Sequence, residues 1–266
     1  MTKPSATSLV LDLLLAANRS QGLSVGELVA ACNLFDLTEN SVRVSLVRLA
    51  AESKVEAVGR GRYRLGAQAL DLAQDVSGWR DAGERVRDWH GDWIMVLSTS
   101  LGRSDRKALR RRERALNLLG FAEWERGVAV RPNNLKADLE STRRRLHGLG
   151  LERQAAVMVA SEVDEARAAA MRALWDVRAF NSVYRHTRVQ LDDWLERSHQ
   201  LSLDAAARES YLLGGQAIRR VVFDPLLPDP LVDVVARKRF FDAVRQFDEA
   251  GHVIWQRFFD SQRAAA

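Results

Sequence analysis

Asn40, Arg43, Val44, Val47 and Arg48 lie in the stretch TENSVRVSLVRLAAE. Placing residues about 100° apart puts these five on one side of a helix, with Val42, Ser45, Leu46 and Leu49 on the other. The second set is a packing face. The first combines short polar and arginine side chains, which is what the base edges in the major groove of a DNA duplex can accept. Thr38, placed to cap this helix, and Ser41 in its first turn belong to the same candidate surface. Further along, Gly59-Arg60-Gly61 separates KVEAV from RYRL, a β-hairpin pattern in which glycine takes the positive φ of a tight turn. Arg60 at the tip is placed to enter a minor groove or meet a phosphate. The two-residue strand period puts Arg62 and Arg64 together on one side and turns Tyr63 inward, with Leu65 on Tyr63's side. Ordinary solvated arginines would carry the same charges. The helical pattern and the hairpin together favour the reading of nucleic acid.

A second basic feature is RSDRKALRRRERALNLLG. Leu109, Leu116 and Leu119 mark its buried side, leaving Lys107, Arg110, Arg111 and Arg114 at i, i+3, i+4 and i+7. Like charges at those spacings repel by a few tenths of a kcal/mol per pair, and only Asp105 and Glu113 stand near. Such a stripe is either tolerated or met by an anion, in the form of a phosphate-bearing ligand or flanking DNA.

Chemistry of other kinds is poorly represented. His90, His147, His186, His199 and His252 stand singly, without HExxH or paired-cysteine spacing, so no metal site is expected. Neither a P-loop nor a GxSxG elbow occurs. The motif DWHGDW reads as an aromatic cluster at a domain junction, and Trp175, Trp194 and Trp255 read as core. Cys32, the single cysteine, repeats the apolar period of Val25, Leu28 and Val29 and is a core residue rather than a nucleophile.

These side chains need a scaffold. With 266 residues, 47% hydrophobic and 28% charged, the chain has material for two or three domains, and its net charge of +5 is a weak pointer to polyanions. One cysteine fits a reducing, cytoplasmic setting, and no apolar run approaches the roughly 18 residues of a membrane span. A helix from about Ser5 to Ala17, a second opening on the Ser24/Glu27 capping box, the helix after Thr38 and the hairpin make a winged helix-turn-helix. Residues 66–91 read as a connecting helix with breaks. Then follow a strand from Trp93 to Ser98, a helix from Asp105 to Leu119, a strand pair in AEWERGVAVRP, a helix near Leu135–Leu146 and the strand QAAVMVA. That β-α-β-β-α-β order is ferredoxin-like. A helix over DEARAAAMRAL comes next, and the last ninety or so residues are helical except for the proline-rich DPLLPDPL. The fold class is therefore α+β. The expected divisions are residues 1–68 for the winged helix, 69–91 for the linker, 92–173 for the ferredoxin-like unit and 174–266 for a helical C-terminal domain.

At this point the chain resembles the PaaX-like regulators, named after a repressor of phenylacetic acid catabolism. The resemblance is carried in order by TENSVRVSLVRLAAESKV and GRYRL, WHGDWIMVL, LRRRERALNLLGFAEWERGVAVRP, ALWDV, FDPLLPDPL and FFDAV. It implies a winged helix, a central unit similar to the CRISPR-associated nuclease Cas2, a helical C-terminal domain, a homodimer and a double-stranded DNA operator. It further implies a repressor without catalytic residues or cofactor, whose grip on DNA drops when an aryl-CoA thioester such as phenylacetyl-CoA binds. Lys107, Arg110, Arg111 and Arg114 are the candidate contacts for the CoA phosphates. One departure bears on catalysis: Cas2-type nucleases end their first strand with an aspartate, whereas here the strand runs into Ser98, Thr99 and Ser100. Two rival readings are a Cas2-like metal-dependent nuclease and a winged helix that binds protein instead of DNA.

Overall fold

The computed structural model describes residues 3–17, 22–69, 78–102 and 104–264, arranged as mixed helix and sheet. The chain divides into two compact units. One takes Met1–Trp79, Gln190–Ile218 and Ala243–Ala266, and the other Arg80–Val189 and Arg219–Asp242.

In the first unit, α1 (Ala6–Ala16), β1 (Leu23–Ser24), α2 (Val25–Asn33), α3 (Glu39–Ala51), β2 (Val55–Ala57) and β3 (Arg62–Leu65) follow in order. Their antiparallel sheet has the order β1-β3-β2, so three helices and a hairpin form as the sequence pattern predicts. The helix starts are chemically defined. Ser5 and Ser8 cap α1 reciprocally, and Ser24 and Glu27 do the same for α2. The Thr38 hydroxyl accepts the Ser41 N–H at the start of α3. Leu9, Val10, Leu13 and Leu14 of α1 pack with Leu28 and Cys32 of α2 and with Val42, Leu46 and Leu49 of α3. Later helices contribute Ala207, Phe258 and Phe259 to the same core. Tyr63 packs partly buried against it and Leu65 is buried, as the strand period requires. Burial pushes the Cys32 thiol up to about 11, which makes it an inert core group.

In the second unit, β4 (Trp93–Leu97), α4 (Arg106–Leu118), β5 (Ala122–Glu125), β6 (Val128–Pro132), α5 (Leu139–Leu149) and β7 (Ala156–Ala160) form an antiparallel sheet in the order β5-β6-β4-β7. This is the ferredoxin-like order. Ile94, Val96, Ala115, Phe121, Leu146 and Val157 fill the space between sheet and helices. The α5 helix begins at Leu139, not near Leu135. Asp138 supplies the cap by accepting the Ser141 N–H at 2.7 Å, while Leu135 is held in an antiparallel bridge to Val86. DWHGDW is an aromatic cluster: Trp89 meets Trp93 edge-on at 5.1 Å, Trp93 stacks on Trp175 at 6.1 Å, and the Trp89 indole donates to the Asp92 carbonyl.

Beyond α6 (Glu165–Arg172) run α7 (Val177–Arg197), α8 (Leu203–Val222) and α9 (Val234–Ala264). Residues 174–266, expected as a domain of their own, are divided between the two units. Three prolines break the helical run between α8 and α9, and that loop is tied to the second unit. The buried Arg131 guanidinium donates to the Pro225 carbonyl at 3.3 Å, and the Asn134 amide to the Leu226 carbonyl at 2.6 Å. Gly120, with φ at +73°, admits this loop; a Cβ there would lie 2.9 Å from Pro225. Residues 70–77 of the expected connecting helix lie outside the described residues, and Ala82–Arg85 forms a 3-10 turn. Among the described residues no helix is long and apolar enough to cross a membrane.

Candidate nucleic-acid interface

The α3 helix is divided as its sequence pattern predicts. Val42, Ser45, Leu46 and Leu49 are buried, and the Ser45 hydroxyl is within hydrogen-bond distance, 3.2 Å, of that of Thr7 on α1. Asn40, Arg43, Val44, Val47 and Arg48 are exposed on the opposite side. The Asn40 side chain has no hydrogen-bond partner among the described residues. Arg43 closes an ion pair with Glu39 at 2.6 Å, one turn back, and Arg48 one with Glu52 at 3.2 Å, one turn on. Lys54 and Arg48, hydrogen-bonding to Glu52, hold its carboxyl below the usual carboxylate range. Thr38 and Ser41 engage each other at the helix start, their hydroxyls 2.9 Å apart.

The wing distributes its arginines differently. Arg60 is exposed at the tip, between Gly59 at φ +140° and Gly61 at φ +71°, and nothing crowds either glycine. Arg64 pairs across the hairpin with Glu56 at 2.6 Å, its direct partner in register. Arg62 turns back toward the body, donating to the Gly22 carbonyl at 2.8 Å and lying 3.6 Å from Glu27. Among the described residues only Arg60 and Asn40 of the candidate set extend their polar groups without a protein partner.

Glu27 is the residue whose full role the sequence pattern does not reveal. Its carboxylate is 4% exposed, accepts the Ser24 N–H at 2.7 Å and receives Arg263 of α9 at 2.7 Å. Burial pushes its pKa up, but the hydrogen bonds from Ser24 and Arg263 outweigh burial and hold it below the ordinary value of 4.5. Arg62 on β3, the start of α2 and the last helix therefore converge on one carboxylate. The capping-box spacing finds the Ser24 contact; Arg263, 236 residues away, leaves no local signal.

On α4 the stripe of Lys107, Arg110, Arg111 and Arg114 is exposed, and none of the four closes an ion pair among the described residues. Asp105 is occupied as the helix cap, and the N–H groups of Ala108 and Lys107 hold its carboxyl below the usual range. The neighbouring Arg112 behaves in the opposite way. It is buried and forms a bidentate pair with Glu152 at 2.6 and 3.0 Å. The face set by Leu109, Leu116 and Leu119 is shared with Arg112 and Ala115, the deeper residues. A cleft of about 220 Å³ is lined by Leu109, Arg112, Glu113, Phe121 and Glu123 among others, and by none of the four stripe residues. Ser98, just beyond β4, gives both its N–H and its hydroxyl to the Gly127 carbonyl. No group of three histidine, cysteine or acidic side chains able to hold a metal ion occurs among the described residues.

Residues 5–69 match the family model described as PaaX-like protein, and residues 175–257 that of the PaaX-like protein C-terminal domain. The chain belongs to the PaaX-like family. Membership of this family points to a role in the regulation of transcription. Among solved structures it is similar to one titled "Uncharacterized protein Rv0674 from Mycobacterium tuberculosis", at 24% identity and a TM-score of 0.68. The match covers 97% of this chain and 99% of that one, and it is a likeness of fold. No curated protein matches. In the PaaX-like chain the first family match spans α1 to β3, the elements that present Asn40, Arg43, Val44, Arg48 and Arg60.

Proposed function

We propose that this PaaX-like protein is a dimeric, cytoplasmic repressor that grips an operator in double-stranded DNA through α3 and the wing of each protomer. An aryl-CoA thioester, phenylacetyl-CoA in the first instance, releases it and switches on genes of aromatic-acid catabolism. The observation that carries the reading is the division of α3: one face is sealed into the core by Val42, Leu46 and Leu49, the opposite face stands in solvent, and the wing-tip Arg60 is exposed with no ion pair among the described residues. A protruding helix of that kind fits a major groove, and an adjacent hairpin tip fits the flanking minor groove or phosphate.

Two-fold pairing of such helices places half-sites one helical turn apart, about 10 base pairs, or a multiple of it. Release follows if the effector binds the DNA-free form more tightly, because a ligand shifts an equilibrium only by its differential affinity. The four α4 cations are the proposed seat of the CoA phosphates. Ferredoxin-like pairing supplies the dimer, and the protein needs no metal or cofactor.

The test is a band shift on the protein's own promoter region, with and without a panel of aryl-CoAs. Retardation relieved by one thioester and not by free CoA is the expected result. No retardation at moderate salt would remove the operator reading, and retardation indifferent to every thioester would remove the effector.

A further inference from the structure

The outward ridge of α3 is not its arginines. With residues about 100° apart, Asn40, Val44, Val47 and Ala51 form the row that points straight away from the buried face, and Arg43 and Arg48 lie on its two flanks. Their ion pairs with Glu39 and Glu52 draw both guanidinium groups along the sides of the helix. Val47, at 72% exposure, and Val44, at 59%, are among the most exposed large apolar side chains described. A helix that enters a groove along this row meets the base edges with two branched apolar side chains and one amide.

We propose that α3 selects A·T base pairs, with Val44 and Val47 packing on thymine C5-methyl groups and Asn40 bonding adenine. This deepens the operator reading above and rests on it. The thymine methyl is the one apolar group in the pattern that base pairs display in the major groove, and an apolar side chain is its natural partner. An asparagine amide offers one donor and one acceptor side by side, matching N7 and N6 of adenine. Arg43 and Arg48 then flank the groove as phosphate contacts. Their exposed pairs with glutamates contribute little and are readily exchanged for phosphate. A protein occupant is less well matched. Two valines without an aromatic anchor, bordered by ion pairs, lack the buried centre that protein interfaces are built around.

The experiment uses the full-length protein and a pool of random duplexes, from which a binding site is selected. Each thymine of that site is then replaced singly by deoxyuridine, which removes the methyl and leaves the hydrogen-bonding edge intact. At two or more positions per half-site Kd should rise about fourfold each, the worth of one buried methyl-sized group. The Val44→Ser/Val47→Ser variant, its folding checked by thermal melting, should bind the thymine site about tenfold more weakly and be indifferent to the same uracils. A selected site whose uracil forms all bind unchanged would overturn the methyl contacts while the operator reading stood. Failure to enrich any site would overturn both and leave the valines to a protein partner.

Discussion

The α3 and α4 helices both carry arginine on their exposed faces, and they present it in opposite ways. On α3 each arginine has a glutamate one turn away, Arg43 with Glu39 and Arg48 with Glu52. On α4, Lys107, Arg110, Arg111 and Arg114 close no ion pair among the described residues, while their neighbour Arg112 is buried on Glu152. The helix proposed to read bases is close to locally neutral, and an exposed cationic stripe lies in the other unit. Charge counted along a sequence is therefore a poor guide to charge available to a ligand. A neutralised reading helix has to discriminate by shape, amide and methyl contacts, and an unneutralised stripe is suited to an anion of little shape.

The sharpest way to break the paired side of this contrast is Glu27→Gln, which leaves Arg62 and Arg263 facing an amide and weakens the α2 cap. Because both arginines are partly solvated, the expected loss is about 2 kcal/mol by urea denaturation, below the cost of a fully buried pair. The pH dependence has a defined sign. Glu27's folded pKa lies below its ordinary 4.5, so its contribution is complete above that value and is lost as pH falls through the folded pKa. The wild-type acid limb should be steeper than that of Glu27→Gln.

Next in size is Arg60→Ala. Removing one unpaired cation at the wing tip should lower the salt slope of DNA binding by about 0.9, with stability unchanged. Arg43→Ala should lower the slope similarly if Arg43 meets phosphate, while cutting the Glu39 pair costs only about 0.3–0.5 kcal/mol. A loss confined to certain sequences would instead make Arg43 a base reader. On the unpaired side, Arg110→Glu combined with Arg111→Glu should shift stability by only a few tenths of a kcal/mol, since relief of like-charge repulsion along the stripe is offset by loss of Arg111's attraction to Asp105 and Glu152. The same variant should lose relief of DNA binding by acyl-CoA, and unaltered relief would clear the stripe of that role. The smallest effect is at Cys32, whose thiol should resist an aqueous thiol reagent until denaturant unfolds the first unit.

The local placement of the candidate residues is legible in the sequence. The period of α3 separated Val42, Ser45, Leu46 and Leu49 from Asn40, Arg43, Val44, Val47 and Arg48, and burial follows that division without exception. The apolar period places the start of α1, and capping residues those of α2 and α3, to within a residue. Start assignment failed at α5, because the apolar Leu135 that continues the helical period is used in a bridge to Val86 and Asp138 supplies a better cap. The two-residue strand period grouped Arg62 with Arg64, yet it is blind to where a long flexible side chain turns. One reaches Gly22 and Glu27, and the other stays on Glu56.

Local order, then, was set by the chain itself: periodicity, capping residues and glycine turns act over a few residues, and each leaves its mark in the letters. Tertiary structure decided everything that depends on partners distant in sequence. It set Arg112 on Glu152 and Arg62 on Glu27, it brought Arg263 to Glu27 across 236 residues, and it divided the residues of the last three helices between two units. The physical reason is that a charge is worth what surrounds it, and what surrounds it is assembled only when the chain has folded.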